Sequence, residues 1–487
     1  MARSLGQLNH PTLRRQSALG RLAACLVVLS LLGLSLGCAA AREATSTAAA
    51  NFDGNIRPKG SGTYIGADEI GSTSFPYVLD QSTVFPYPTY SMPAKGITIT
   101  DPTFHTSFRR VTQKSVDGYP SPAMTPEYSK ADPSNANGTR LILRGLDAQW
   151  YLYDSQTLAL LNGGPIPNLP QDEIEPRWDA QDPNIFYYRQ SDDMLLRAFN
   201  ISTNTSSVVH DFSGVIAGGV AILNDSEGDS SADSRYWAFE VRGDPPDTDH
   251  ILGVITYDRL NDRVIGKKFI PAGGLMPNWV GIDASGTHVI FPPEDGVHPM
   301  VAYHLDFSHP VSLTVSAGHS DLALDKQGRD VIVYQDNATD TISMADLETG
   351  SITTLLHIPF DVNPDIGVHI SGNSVKKPGW ALVTTGGGSY VSWMDRQFWM
   401  LELTPNPCVW RLGWTRLKQC SSPSDYNYFA EGWATINKAG TKLWWQSNKD
   451  IAACSSDDED VYQMSLPAFP DEQAANARLF LPILLRY

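Results

Sequence analysis

The sequence predicts an all-β fold, a seven-bladed β-propeller whose ring is closed by a strand from the N-terminal region. Three observations carry that expectation. First, a short polar–aromatic triplet recurs seven times: Pro126-Glu127-Tyr128, Pro176-Arg177-Trp178, Glu227-Gly228-Asp229, Pro277-Asn278-Trp279, His319-Ser320-Asp321, His369-Ile370-Ser371 and Glu431-Gly432-Trp433. Their first positions stand 50, 51, 50, 42, 50 and 62 residues apart. Second, an apolar strand follows each triplet, as at Leu141-Ile142-Leu143, Tyr236-Trp237-Ala238-Phe239 and Leu443-Trp444-Trp445. Third, Gly and Pro are spread along the whole chain and no long amphipathic helix interrupts them, which is the all-β pattern. A period near 50 residues with several strands per period is that of a propeller blade.

The elements follow in chain order. Arg3, Arg14, Arg15 and Arg21 make a basic leader, the apolar run Ala23 to Leu36 comes next, and Gly37, Cys38, Ala39 and Ala40 are small. That order reads as a secretory signal, with an apolar run too short to span a bilayer comfortably. The protein is therefore expected outside the cytoplasm, secreted or membrane-anchored. Ser35-Leu36-Gly37-Cys38 resembles the lipobox of bacterial lipoproteins, which implies a lipid anchor through Cys38, although Ser35 stands where that pattern prefers Leu. Ordinary cleavage among Ala39, Ala40 and Ala41 is the alternative, and both stay open. Residues 1–38 are assigned to the signal, 39–50 to an Ala/Ser/Thr linker, 51–124 to an N-terminal wrap, 125–467 to the propeller and 468–487 to a C-terminal tail. Within the wrap, Ser107-Phe108-Arg109-Arg110-Val111-Thr112 is expected to pair with the last blade, which lacks an outer strand, and so to remove an open edge.

The hairpins between first and second strands share a signature: Asp283-Ala-Ser-Gly-Thr-His288, Asp325-Lys-Gln-Gly-Arg-Asp330 and Asn437-Lys-Ala-Gly-Thr-Lys442. They resemble the repeat of WD-like propellers in bacterial Tol-system proteins. They are also distantly similar to the blades of oligogalacturonate lyases and other propeller-fold polysaccharide lyases. The resemblance covers roughly residues 125–467 and implies the fold. Such lyases use His, Tyr and Arg, sometimes with a metal, near the channel mouth, but no catalytic residue can be matched here position by position.

Charge and cysteines bound the partners. The formal charge of −17 becomes −21 once residues 1–38, with their four arginines, are removed. Such acidity argues against nucleic acid and fits a neutral glycan, a cell-surface protein or a cation. Cys408, Cys420 and Cys454 remain, and a Cys408–Cys420 disulfide is the simplest pairing in an oxidising compartment. The chain is expected to act as a monomer.

In a propeller the first strand of each blade lines the channel, so the triplets should form a ring at one mouth. His369, His319 and Arg177 are the candidate catalytic residues. Tyr128, Trp178, Asn278, Trp279, Trp433 and Glu431 are candidate ligand contacts. Glu227, Asp229 and Asp321 are candidate ligands of a divalent cation. The structural alternatives are stated alongside. The three Trp share one repeat position, which suits blade packing. His319-x-Asp321 suits a strand-to-strand tie, and Glu227 and Asp229 suit a solvated turn. Two readings of function follow: an exported propeller that binds a glycan or protein at the mouth, or a polysaccharide lyase with a His-centred, metal-assisted site.

Overall fold

The recurring hairpin has a physical cause that the structure, a computed structural model, makes visible. It describes residues 75–244, 250–271, 274, 276–293, 298–314, 317–364, 366–387, 391–418, 428–450 and 459–471. At the head of each signature, a side-chain oxygen accepts backbone N–H groups further round the turn. Asp283 Oδ1 takes Thr287 N–H, Asp325 Oδ1 takes Gln327 and Arg329 N–H, and Asn437 Oδ1 takes Thr441 and Lys442 N–H. This clasp replaces the ladder bonds that the turn cannot make. Gly286 and Gly440 complete it at φ 74° and 63°, where a side chain would be strained.

Strands β1 (Thr98–Thr100) and β2 (Ser107–Arg110) precede the repeats. Blade 1 comprises β3 (Met124–Thr125), β4 (Arg140–Gly145), β5 (Trp150–Asp154) and β6 (Leu160–Pro165). Blade 2 has β7 (Arg177–Trp178), β8 (Ile185–Tyr188), β9 (Leu195–Asn200) and β10 (Thr205–Asp211). In blade 3 these are β11 (Ala221–Leu223), β12 (Tyr236–Arg242), β13 (Ile251–Asp258) and β14 (Arg263–Phe269). Blade 4 holds β15 (Gly281–Ile282), β16 (His288–Ile290), β17 (Val301–His304) and β18 (Val311–Ser312). Blade 5 runs β19 (Ala317–Leu324), β20 (Asp330–Asp336), β21 (Thr341–Asp346) and β22 (Ile352–His357). Blade 6 runs β23 (Gly367–Ser371), β24 (Trp380–Gly386), β25 (Gln397–Glu402) and β26 (Val409–Trp414). Six sheets are thus four-stranded meanders.

Blade 7 supplies only β27 (Ala434–Ile436), β28 (Lys442–Ser447) and β29 (Asp460–Ser465) from the end of the repeats. Its outer strands come from the N-terminal side. β2 pairs antiparallel with β29, Phe108 opposite Met464, and β1 pairs with β2. The expected closing strand is therefore in place.

The hydrophobic core is divided among blade interfaces, and the clusters run right round the ring. Ile142 and Trp150 of blade 1 meet Trp178 and Phe186 of blade 2, and Val333 and Met344 of blade 5 meet Val368 and Val383 of blade 6. The circuit ends with Trp444 and Val461 of blade 7 against Leu141 and Tyr151 of blade 1. A single sheet cannot bury both its faces, so stacking supplies the core. The outer strand of blade 6 is buried throughout, unlike that of blade 2. The cause is the N-terminal wrap: Tyr77 packs edge-on against Trp410, Tyr87 against Trp414, and buried Arg411 donates to the carbonyls of Asp80 and Thr83. Cys408 is disulfide-bonded. Cys420 and Cys454, like the leader, linker and most of the C-terminal tail, lie outside the described residues.

Candidate functional site

The inner strands come close enough at the channel to exclude side chains. A Cβ on Gly372 would stand 1.9 Å from the Leu322 carbonyl oxygen of the neighbouring blade. Such contact brings the seven triplets together in two adjoining clusters.

The first cluster is charged. Lys130, two residues past the first triplet, is buried, pairs with Glu227 and holds its ammonium 3.9 Å from the Trp279 ring centroid. Its carbonyl accepts from Asn373 Nδ2 at 2.9 Å. Asp229 faces Lys438 at 3.4 Å and Arg177 Nε at 3.9 Å. Glu227, Asp229, Trp279, Asp321, Asn373 and Lys438 line one small pocket. Asp321 accepts the Gly372 N–H at 2.7 Å, yet burial pushes its carboxyl up to about 7 despite the nearby Lys130 ammonium.

Arg177 belongs to the wall of this cluster. Its Nε donates to Gly228 O, Nη1 to Glu127 Oε2 at 2.6 Å and to Pro176 O, and Nη2 to Ser226 O. Burial opposes its charge, but Glu127, Asp229 and Glu175 outweigh that and hold it protonated. The guanidinium ties blades 1, 2 and 3 together, so its donors are already committed within the protein.

The second cluster is aromatic and can exchange protons. The rings of exposed His319 and buried His369 lie 4.3 Å apart. Tyr128 stands edge-on to His369 at 5.6 Å and packs on Trp433 at 5.5 Å, and Tyr428 caps Trp433 at 5.2 Å. No side chain hydrogen-bonds either ring nitrogen of His369: Glu431 Oε2, 3.7 Å from Nε2, is beyond that reach, and a weak backbone contact with Gly432 only partly offsets the burial of the ring. Burial, then His319 and Lys130, push the His369 pKa well below the ordinary imidazole value. Burial pushes Glu431 up to about 7. At neutral pH the cluster therefore holds a neutral imidazole beside a carboxyl near its midpoint, a pairing suited to moving a proton.

Of the residues singled out from the sequence, Tyr128, His319, His369, Glu431 and Trp433 form this second cluster. Glu227, Asp229, Trp279 and Asp321 meet in the charged pocket, where the partners of Glu227 and Asp229 are ammonium and guanidinium groups. Trp178 stands apart: it packs edge-on to Phe186 in the blade 1–2 core and donates Nε1 to Pro133 O. Asn278 is exposed and gives its backbone N–H to Pro292 O. Sequence reasoning missed Lys130, Lys438 and Tyr428. Lys438 lies inside a recognised hairpin signature, whereas Lys130 has no counterpart at the same offset in the other repeats that would have marked it. Among the described residues, three metal-ligand atoms come within 4.8 Å of one another at one place, His288, His304 and Glu348, and these belong to neither cluster.

No family model matches the sequence, and no curated protein does. Solved structures do match. An oligogalacturonate lyase in complex with manganese is 14% identical with a TM-score of 0.52, over 78% of this chain and 98% of that one. The oligogalacturonate lyase of Vibrio parahaemolyticus is 13% identical with a TM-score of 0.53, over 77% of this chain and 99% of that one. The likeness is one of fold. It agrees with the resemblance carried by the hairpins, and the fold alone assigns no chemistry.

Proposed function

We propose that the protein is an exported propeller that binds a glycan at the channel mouth. The observation that carries this reading is the aromatic stack Tyr128–Trp433–Tyr428, which runs from the buried channel to a ring that is 47% exposed. Exposed His319 and part-exposed Glu431 stand beside it. An exposed ring face with hydrogen-bonding groups at its edge suits a sugar, whose C–H face stacks while its hydroxyls find donors and acceptors. The basic leader and apolar run support export, and the acidic surface favours a neutral glycan over a polyanion.

A second reading, a polysaccharide lyase, is favoured by one specific observation. His369 is held neutral by burial, has no side-chain hydrogen bond and lies close to Glu431, as a general base should, and oligogalacturonate lyases share the fold. Arg177 does not serve the uronate in that reading, because Glu127 and three backbone carbonyls hold it. Lys438 or a bound divalent cation would have to neutralise the substrate carboxylate.

One experiment separates the two. The purified protein is titrated calorimetrically with neutral and uronate-containing oligosaccharides, while the near-ultraviolet absorbance of unsaturated uronate is followed. The expected result is saturable binding with a flat absorbance, weakened about tenfold by Tyr428→Ala, in line with the 1–1.5 kcal/mol of an aromatic contact. An absorbance rise abolished by His369→Ala would replace binding with lysis, and no binding to any glycan would overturn both.

A further inference from the structure

The rim of blade 4 carries a histidine pair that the channel does not use. His288 opens β16 and His304 ends β17, and the two are direct cross-strand partners. Register therefore places both side chains on one face of the sheet, a few ångströms apart. Glu348 reaches them from the β21–β22 turn of blade 5. Its Oε2 lies 3.1 Å from His288 Nε2 and 3.8 Å from His304 Nε2. A tetrahedral Zn²⁺ with bonds of about 2.0–2.1 Å needs its ligand atoms about 3.4 Å apart. Those two spacings bracket that value.

A second observation makes this more than a cluster of polar groups. His288 Nδ1 is 2.7 Å from Oδ2 of Asp283, which is fully buried. With the proton on Nδ1 held by that carboxylate, the Nε2 lone pair points at Glu348 and His304. This carboxylate–imidazole relay is what fixes the tautomer of metal-ligating histidines. The hairpin clasp supplies it: Asp283 Oδ1 holds the Thr287 N–H while Oδ2 holds the ring. Asp330 adds another carboxylate, bound to the Ser285 N–H of the same turn.

We propose that His288, His304 and Glu348 bind one divalent cation of the zinc type, which clips blade 4 to blade 5. Two imidazoles and a single carboxylate suit a borderline cation better than Ca²⁺ or Mg²⁺, which seek oxygen shells. Glu348 is largely exposed, so the fourth position opens to water. Because the ligands come from two blades, the bound ion links neighbouring sheets and stabilises the folded ring by mass action.

The test uses the full chain, freed of metal by chelator and titrated with Zn²⁺, with Co²⁺ as a spectroscopic probe. One equivalent should bind, the Co²⁺ adduct should show visible bands of a tetrahedral N/O site, and Zn²⁺ should raise the unfolding temperature. His304→Ala and Glu348→Gln, both at partly exposed positions, should each weaken binding at least tenfold while leaving the metal-free unfolding temperature close to that of the parent. Asp283→Asn, which keeps the size but not the charge of the second partner, should weaken it 10- to 100-fold. His369→Ala should leave uptake unchanged. Failure to take up one equivalent, uptake retained in the Glu348→Gln and His304→Ala double variant, or uptake lost in His369→Ala would each overturn the proposal.

Discussion

His369 on the channel wall and His288 on the rim occupy the same fold in opposite states. His369 is buried with no side-chain hydrogen bond and only a weak backbone contact with Gly432, and His319 and Lys130 add to the burial that keeps it neutral. His288 lies between Asp283 and Glu348. Burial opposes its charge, but the two carboxylates outweigh it and raise its pKa. Both ring nitrogens of the rim histidine meet carboxylates within 3.1 Å, whereas those of the channel histidine meet none so close, and a buried polar group left so poorly met is a candidate for function. Trp433 Nε1 and the hydroxyl-bearing neighbour Thr125 are unpartnered near the channel as well.

The largest difference between wall and rim should be steric. Gly372 follows β23 and faces the Leu322 carbonyl, so Gly372→Ala must push two blades apart; a loss of about 3 kcal/mol is expected from such overpacking. Gly367, at the start of the same strand, has nothing within 4 Å of its added Cβ, and Gly367→Ala should change stability by less than about 0.5 kcal/mol. Urea unfolding of the pair measures this directly. Equal midpoints would mean that the inner strands are not held by close contact.

The next effect belongs to the rim. Asp283→Ala removes a fully buried carboxylate that is the partner of a backbone N–H and of the His288 ring, and about 2 kcal/mol should be lost. His369→Phe, by contrast, replaces an imidazole that makes no side-chain hydrogen bond and should cost less than about 1 kcal/mol. If the channel substitution proved the more costly, His369 would be holding the wall together and the acid–base reading of the site would lose its ground.

The two regions also differ in how far the sequence reveals them. The blades were legible because the hairpins of blades 1, 4, 5 and 7 repeat one local device, an Asp or Asn whose side chain clasps the turn with a Gly three residues on, and local devices leave a periodic trace. The triplets mark the inner strands only in part: those of blades 2, 5 and 6 lie on them, whereas the other four fall just before or just after, because the loops around the inner strands differ in length. Closure by Ser107–Arg110 could be read from a missing strand at the other end. The roles of single residues could not. Arg177 read as a candidate catalytic residue, but its commitment to Glu127 and Ser226 depends on how three blades approach one another. Lys130 is buried by a curve of chain with no repeat. His288 and His304 are 16 positions apart and Glu348 lies 44 further on, so their meeting depends on strand register and on the neighbouring blade, neither of which a periodic pattern encodes.

The smallest effect, and the one that separates the histidines most directly, is the sign of their pH dependence. An unfolded histidine takes up a proton near pH 6.5. Folded His369 resists that proton, so below pH 6.5 the unfolded state binds more protons and stability is lost as pH falls. His288 runs the other way. Its folded pKa is raised, so its contribution is fully present below pH 6.5 and is lost as pH rises through the folded value. Urea unfolding of the metal-free protein at pH 5.5 and 7.5 should therefore show the parent losing stability relative to His369→Phe on acidification, and gaining it relative to His288→Gln. Histidine NMR titration gives the same distinction residue by residue, with His369 silent through the range in which His288 takes up its proton. Difference curves of equal slope would mean that wall and rim poise their histidines alike, and that the channel imidazole is no more available as a base than its counterpart on the rim.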